Sequence, residues 1–347
     1  MPEKQGFVLN LPGNLLRLPL HAGALKAWYE FDLPKPDTII CTSAGAFAIS
    51  ALAGWNDRTF DKGVEVIGNL APEKIFSFQR GLKIKLAVLG ITSVGLGLMM
   101  LFDDKLSKGK KLTLGLLGLA ALLGTEGIVG RELLYSESLF SIDPLIKLLK
   151  KELDFNSIFN SPIHIEVLVT DMCSPNEVIF SNRDPRNSDH TDPSHRERWL
   201  KILRATSRLP GKFPFVEVDG IETVDGEVWT DFPIRQMKLY RQAVRLDYWP
   251  PLQPVPAPKN WIPDLSRSFD IMRERCTQKK FDNYEYERRA DPNLPAIFCL
   301  RMSPTLRAMM PNVQIHNFTP KDMKTLINIG YQSVKDQLAE LRNHFSI

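Results

Sequence analysis

Thr38-Ile39-Ile40-Cys41-Thr42-Ser43-Ala44-Gly45-Ala46-Phe47-Ala48-Ile49-Ser50 is the stretch that decides the fold. Its first four residues read as a short buried strand. Small residues then crowd together, and Ala44 to Ala53 reads as a helix closed by Gly54. Upstream, Phe7-Val8-Leu9-Asn10-Leu11 reads as another buried strand. Pro12, Gly13 and Asn14 form a turn, and His21 to Glu30 reads as a helix broken by Pro34 and Pro36. Strand, helix, strand, helix in this order predicts a parallel sheet with crossover helices.

Ser43 is the chemically interesting residue of that stretch. A serine hydroxyl is a poor nucleophile until position and a base activate it. A sharp turn between a buried strand and a helix exposes the serine above the sheet, beside a helix N-terminus that favours negative charge. Such a turn needs small neighbours, and Cys41, Ala44, Gly45 and Ala46 supply them. A possible partner comes much later, in Asp225-Gly226-Glu227-Val228-Trp229-Thr230-Asp231-Phe232-Pro233. An Asp in a Gly turn can present its carboxylate into a cleft, where within hydrogen-bond reach it acts as a general base. Read without that partner, the two motifs are a small-residue helix start and an ordinary Asp-Gly turn.

The 347 residues suffice for one large α/β domain. A net charge of +4 is too mild to point to nucleic acid, and no long basic run supports such a partner. Cys41, Cys173, Cys276 and Cys299 lie far apart, without metal-ligand spacing or a disulfide framework, as expected for reduced thiols in a cytoplasmic protein. The N-terminus lacks the build of a signal peptide.

The middle of the chain departs from this soluble pattern. Leu86 to Phe102 is a run of 17 residues without charge, and Leu112 to Thr125 is another of 14. Charged residues from Asp103 to Lys111 separate them, which predicts an inserted apolar helical hairpin over residues 80–132. Gly90, Gly95, Gly97, Gly115, Gly118 and Gly124 would let two helices pack closely. The hairpin either contacts a membrane, dipping into one leaflet or spanning it through residues 84–130, or is a helical pair buried in the domain.

Beyond the insert, Asp143-Pro144 opens a helix through Lys151, and His164 to Met172 is a strand. Asn182 to Arg198 reads as a charged surface loop, Trp199 to Ser207 as a short helix, and Val224-Asp225-Gly226 as a tight turn. Pro250 to Pro263 holds six prolines and reads as a rigid excursion. Ala296 to Leu300 is a late strand, and Thr319-Pro320-Lys321-Asp322 caps a final helix to about Arg342.

Taken in order, these features resemble the patatin-like phospholipase family. Leu9 to Leu25 resembles the family's first strand, oxyanion loop and following helix. Cys41 to Ala46 resembles its nucleophile elbow, usually Gly-x-Ser-x-Gly. Ala205-Thr206-Ser207 with Pro210 and Phe213-Pro214 resembles the segment before the acid, and Asp225 to Pro233 the acid block. Thr319 to Gln332 resembles the C-terminal helix. The resemblance implies a single domain over residues 1–347, a three-layer α/β sandwich with a central, mostly parallel sheet and helices on both faces.

It also implies a lipid acyl hydrolase of the phospholipase or lysophospholipase type, with Ser43 as nucleophile and Asp225 as base. The oxyanion hole would come from Gly13, Asn14 and Leu15, with Arg17, Gly45 and Gly226 in support. No metal or organic cofactor is implied. Membrane lipids would be both substrate and docking surface for a cytoplasmic, membrane-associated protein. The chain departs from the family at Asn14, Leu15 and Leu18, which replace glycines, at Cys41, at Glu227, which replaces a small residue, and at Asp231, where Asn is usual. Those departures motivate an alternative, a membrane-tethered lipid-binding or scaffold protein with little turnover. A second alternative is an ordinary Ser-Asp-His hydrolase using His316.

Overall fold

The computed structural model describes residues 5–14, 16–78, 140–174, 176–187, 189–208, 213–228, 232–248, 261–311 and 318–347, with backbone alone at 5 and 261–274. The chain opens with β1 (Gln5–Leu11), α1 (Arg17–Glu30), β2 (Thr38–Cys41), α2 (Ser43–Leu52) and α3 (Asp57–Gly68). Next come α4 (Asp143–Glu152), β3 (His164–Asp171), β4 (Glu177–Ser181), α5 (Pro193–Thr206), β5 (Val216–Val218) and β6 (Ile221–Asp225). The last elements are β7 (Tyr240–Asp247), α6 (Trp261–Ala290), β8 (Ile297–Arg301), α7 (Pro320–Asp336) and α8 (Leu338–Phe345).

Among the described residues, eight strands form one sheet in the order β8-β7-β1-β2-β3-β6-β5, with β4 also pairing β3. The pairs β8-β7, β7-β1, β1-β2 and β2-β3 are parallel. The pairs of β3 with β4 and β6, and of β5 with β6, are antiparallel. A mostly parallel sheet is thus present as expected.

The alternation of side chains along each strand sorts the apolar residues into two layers. Leu9 and Leu11 of β1, Ile39 of β2 and Val167 of β3 belong to one core, together with α1, α2 and α5. Val8, Ile40 and Leu168, each next to one of these in its strand, belong to a second core that includes Tyr284 of α6. Helices therefore cover both faces. On the first face α1 crosses α7 so closely that a Cβ on Gly23 would stand 1.8 Å from the Ile327 carbonyl oxygen. A Cβ on Gly330 would stand 2.1 Å from that of Leu20.

Several sequence expectations need correction. The first helix begins at Arg17, a turn earlier than His21. The charged loop ends at Asp192, whose carboxylate accepts from the Ser194 amide at 2.7 Å and caps α5. Helix therefore replaces coil from Pro193 onward, with Pro at a position where its missing N–H costs nothing. Asp225 ends a strand, and the turn after it is a 3-10 turn over Gly226–Val228. The final helix breaks at Gln337 into α7 and α8. A 30-residue helix, α6, starts at Trp261 inside the proline-rich stretch. The predicted hairpin at 80–132 lies outside the described residues. Among those residues no helix is long and apolar enough to cross a membrane.

Candidate active site

The site forms where β2 stops. Its last residue, Cys41, pairs with Leu11 of β1 on one side and Val167 of β3 on the other. The Thr42 amide donates to the Leu11 carbonyl at 3.1 Å, extending that pairing by a step. Thr42 is still extended, and the chain then reverses at Ser43, whose φ is +44°. A serine in left-handed backbone stores roughly 1–3 kcal/mol of strain, which the surrounding packing must hold. Three small residues, Ala44, Gly45 and Ala46, follow, and Gly45 is required. A Cβ there would lie 2.2 Å from the Leu11 carbonyl oxygen. Cys41, by contrast, is ordinary strand, and its thiol points to the Glu166 carbonyl at 3.3 Å. The family glycine it replaces is therefore not needed for backbone freedom here.

Thr206, at the end of α5, fastens the turn. Its hydroxyl accepts from the Ser43 amide at 2.8 Å and donates to the Leu168 carbonyl at 2.8 Å. One buried hydroxyl thus ties the strained residue to β3.

The register along β3 brings Asp225 to the same place. Cys41 pairs with Val167, and Asp225 pairs with Val169, two residues further along. Ser43 is two residues past Cys41, so the serine and the aspartate sit level at one end of the sheet. The Asp225-Gly226 turn presses directly on the serine turn, since a Cβ on Gly226 would meet the Thr42 methyl at 2.8 Å. Asp225 is buried. Its Oδ1 accepts from the Glu227 amide at 2.9 Å, and its own amide donates to the Arg208 carbonyl at 2.9 Å. These bonds orient the carboxylate.

The loop after β1 lies over the serine. A Cβ on Gly13 would stand 2.7 Å from the Ser43 Cβ. Asn14 has φ of +87°, and its side chain accepts from the Leu16 amide at 3.1 Å. Its carbonyl accepts from the Arg17 amide at 2.8 Å. Asn is among the residues that tolerate left-handed backbone, so Asn14 can replace a glycine without losing the bend. Leu15 lies outside the described residues.

Arg17 and Glu227 complete the surroundings. Arg17 Nη1 stands 3.8 Å from Glu227 Oε1, with both side chains nearly buried. The Glu227 carboxylate lies on Gly13, its Oε1 within 2.9 Å of where a Cβ would be. Sequence reading marked Glu227 as a departure without assigning it a place. It also gave Thr206 no role and missed Asn10 and Arg245, whose buried hydrogen bond (2.9 Å) underlies the loop. A polar residue inside an apolar strand, as in Leu9-Asn10-Leu11, is the signal that could have found that pair.

His21 holds the loop from below. Its Nε2 donates to the Pro12 carbonyl at 2.7 Å, which fixes the neutral tautomer. Burial pushes the imidazole down to about 3, against the pull of that carbonyl and helped by the Arg17 and Arg245 cations. The unfolded histidine titrates near 6.5. Between those values the unfolded chain binds a proton that the folded chain refuses. Stability is thus present above pH 6.5 and is lost as pH falls below it, by roughly 1.4 kcal/mol per unit for this one group. His21→Asn is expected to flatten that slope in denaturation midpoints measured from pH 7 to pH 4, relative to the parent protein.

Among the described residues no group of three His, Cys, Asp or Glu is placed to hold a metal. His316 lies outside them.

Fold and site together define a class of three-layer α/β proteins with a serine at a strand-to-helix turn, an aspartate level with it, and a glycine loop above. The chain belongs to the patatin-like phospholipase family, whose profile matches residues 16–238. Membership makes it a lipid acyl hydrolase in general terms. A similar solved structure is that of VipD from Legionella pneumophila, at 16% identity and a TM-score of 0.43, covering 98% of this chain and 67% of that one. No curated protein matches.

Proposed function

We propose that the protein hydrolyses lipid carboxylic esters through an acyl-enzyme on Ser43, with Asp225 as the base. One observation carries this reading. Ser43 is held at φ +44° at the end of β2, with Gly13 against its Cβ and Asp225 level with it at the end of β6. In the first step Asp225 takes the hydroxyl proton as Ser43 Oγ attacks the ester carbonyl. The amides of the Gly13-Asn14 loop receive the oxyanion, and the alcohol leaves with the proton. Water then attacks the acyl-enzyme, again deprotonated by Asp225, and Ser43 is regenerated.

A fluorophosphonate probe tests the nucleophile directly. The parent protein should be labelled and Ser43→Ala should not. Equal labelling of the two, or none of either, would turn the reading toward a lipid-binding module without turnover.

The reading extends to the membrane. The uncharged runs Leu86–Phe102 and Leu112–Thr125 would bring the site to bilayer lipids, with Lys83, Lys85 and the lysines between the runs at the headgroups. Removing residues 80–132 is expected to abolish co-sedimentation with liposomes, and full retention would refute the docking role.

A further inference from the structure

Arg208 follows two residues after Thr206, whose hydroxyl accepts from the Ser43 amide at 2.8 Å. Its own carbonyl accepts from the Asp225 amide at 2.9 Å. The chain around Arg208 is thus tied to both members of the pair. Its side chain runs outward from there, and Nη1 donates to the Thr223 carbonyl at 3.3 Å. Thr223 pairs with Asp171 of β3, and Asp225 pairs with Val169. Thr223 therefore lies beyond Asp225 in the direction in which β3 leaves the sheet, at the end where β2 stops and Ser43 sits. Two residues of strand put the carbonyl that receives the guanidinium about 7 Å past Asp225.

Arg208 is only 6% exposed, and a buried charge without a partner is costly. A guanidinium carries five N–H donors. Among the described residues the side chain makes only the bond to Thr223, and its buried Nε has no acceptor. Glu222 is the acidic group whose field favours the charge, but its exposed carboxylate faces the Cys173 thiol at 3.7 Å. The other contact is with Phe215, whose ring centroid lies 4.3 Å from the guanidinium carbon. A ring covers the face of the guanidinium plane and takes none of its N–H groups, which point along the edge. The donors left over suit an oxyanion that accepts two parallel bonds, as phosphate does. We propose that Arg208 binds the phosphate of the lipid whose ester is attacked at Ser43, and so selects phosphate-bearing esters over neutral acylglycerols. The proposal rests on Ser43 being the nucleophile. In a glycerophospholipid the glycerol carbons separate acyl ester from phosphate, and they supply the span from the serine turn to Thr223.

Selectivity is the readout. Two esters with the same acyl chains are compared, dioctanoyl glycerophosphate and dioctanoylglycerol. Arg208→Met keeps an apolar stem over Phe215, and the backbone carbonyl that holds Asp225 survives. It is expected to lower the ratio of kcat/KM, phosphate ester over neutral ester, roughly 10–100-fold, mainly through KM. Arg208→Lys keeps the charge and loses the fork, so its ratio should fall between those of the parent and Arg208→Met. It also carries the test if Arg208→Met fails to fold, which a melting curve reports. An equal loss for both esters in a variant that melts like the parent would make Arg208 a structural residue and overturn the proposal. An unchanged ratio would do the same.

A second arm separates the lipid's phosphate from free phosphate, and separates failure here from failure of the Ser43 reading. Ser43→Ala, alone and combined with Arg208→Met, is titrated calorimetrically with dioctanoyl glycerophosphate and with inorganic phosphate. Lipid binding that Arg208→Met weakens at least roughly tenfold supports the site, even if the parent cleaves no ester and the Ser43 reading falls. If Arg208→Met weakens only the binding of inorganic phosphate, free phosphate is the ligand and the proposal is wrong. Lipid that does not bind Ser43→Ala, or that binds equally with Arg208→Met added, also overturns it.

Discussion

Asp225→Asn is expected to lower kcat/KM for a lipid ester by roughly 10²–10⁴-fold, the usual contribution of a positioned general base. The substitution is nearly isosteric. Asparagine keeps an oxygen that can accept from the Glu227 amide, as Asp225 Oδ1 does at 2.9 Å. The backbone bond to the Arg208 carbonyl is untouched. What disappears is the basicity, so kcat should fall while KM and the melting temperature change little. His316→Ala belongs beside it in the same assay. A Ser-Asp-His relay loses activity in both variants, whereas a base acting directly on Ser43 loses it only in Asp225→Asn. Full activity in Asp225→Asn would remove Asp225 from the mechanism.

The two ends of this pair were legible in the sequence because each is announced locally. Ser43 sits where an apolar run gives way to small residues, and Asp225 sits before a glycine that a close approach to Thr42 requires. Strands β1, β2 and β3 were legible for the same reason, as short apolar runs between turn residues. Strand β7 was not, although it pairs β1 in the middle of the sheet. Its sequence, Tyr240 to Asp247, carries two arginines and offers no continuous apolar run to mark a strand. One of them, Arg245, is buried because Asn10 and the Phe232 ring receive it, and that depends on residues far away in the chain. Helix α6 was hidden by its charge and by the prolines before it. Its described part enters the second core through Tyr284, with Phe281 packed against it, too sparse a pattern to signal a buried face. Thr206 and Glu227 fall under the same limit. Their roles come from contacts across more than 160 residues, and no local pattern encodes them.

Glu227→Gly is expected to make the protein faster and less stable at once. The Glu227 carboxylate rests on Gly13 beside the Ser43 Cβ. If the amides of that loop receive the oxyanion, a second negative charge stands next to the one that forms, and like charges in a buried site repel strongly. Arg17 offsets part of this, but at 3.8 Å it is not in close contact. Removing the carboxylate takes away that negative charge and opens space over the loop. A rise of about tenfold in kcat, equivalent to about 1.4 kcal/mol, is the expected scale. The same step leaves a buried guanidinium short of one partner, which costs up to roughly 3 kcal/mol of folding stability, the lower end for a broken buried pair because this one is long. The melting temperature should fall accordingly. Glu227→Gln divides charge from volume, since it keeps the bulk and removes the charge. A gain in both variants assigns the effect to charge, and a gain in Gly alone assigns it to space over Gly13. A loss of kcat in both would mean that the carboxylate, through Arg17, holds the loop in its working shape, and the repulsion argument would then be wrong.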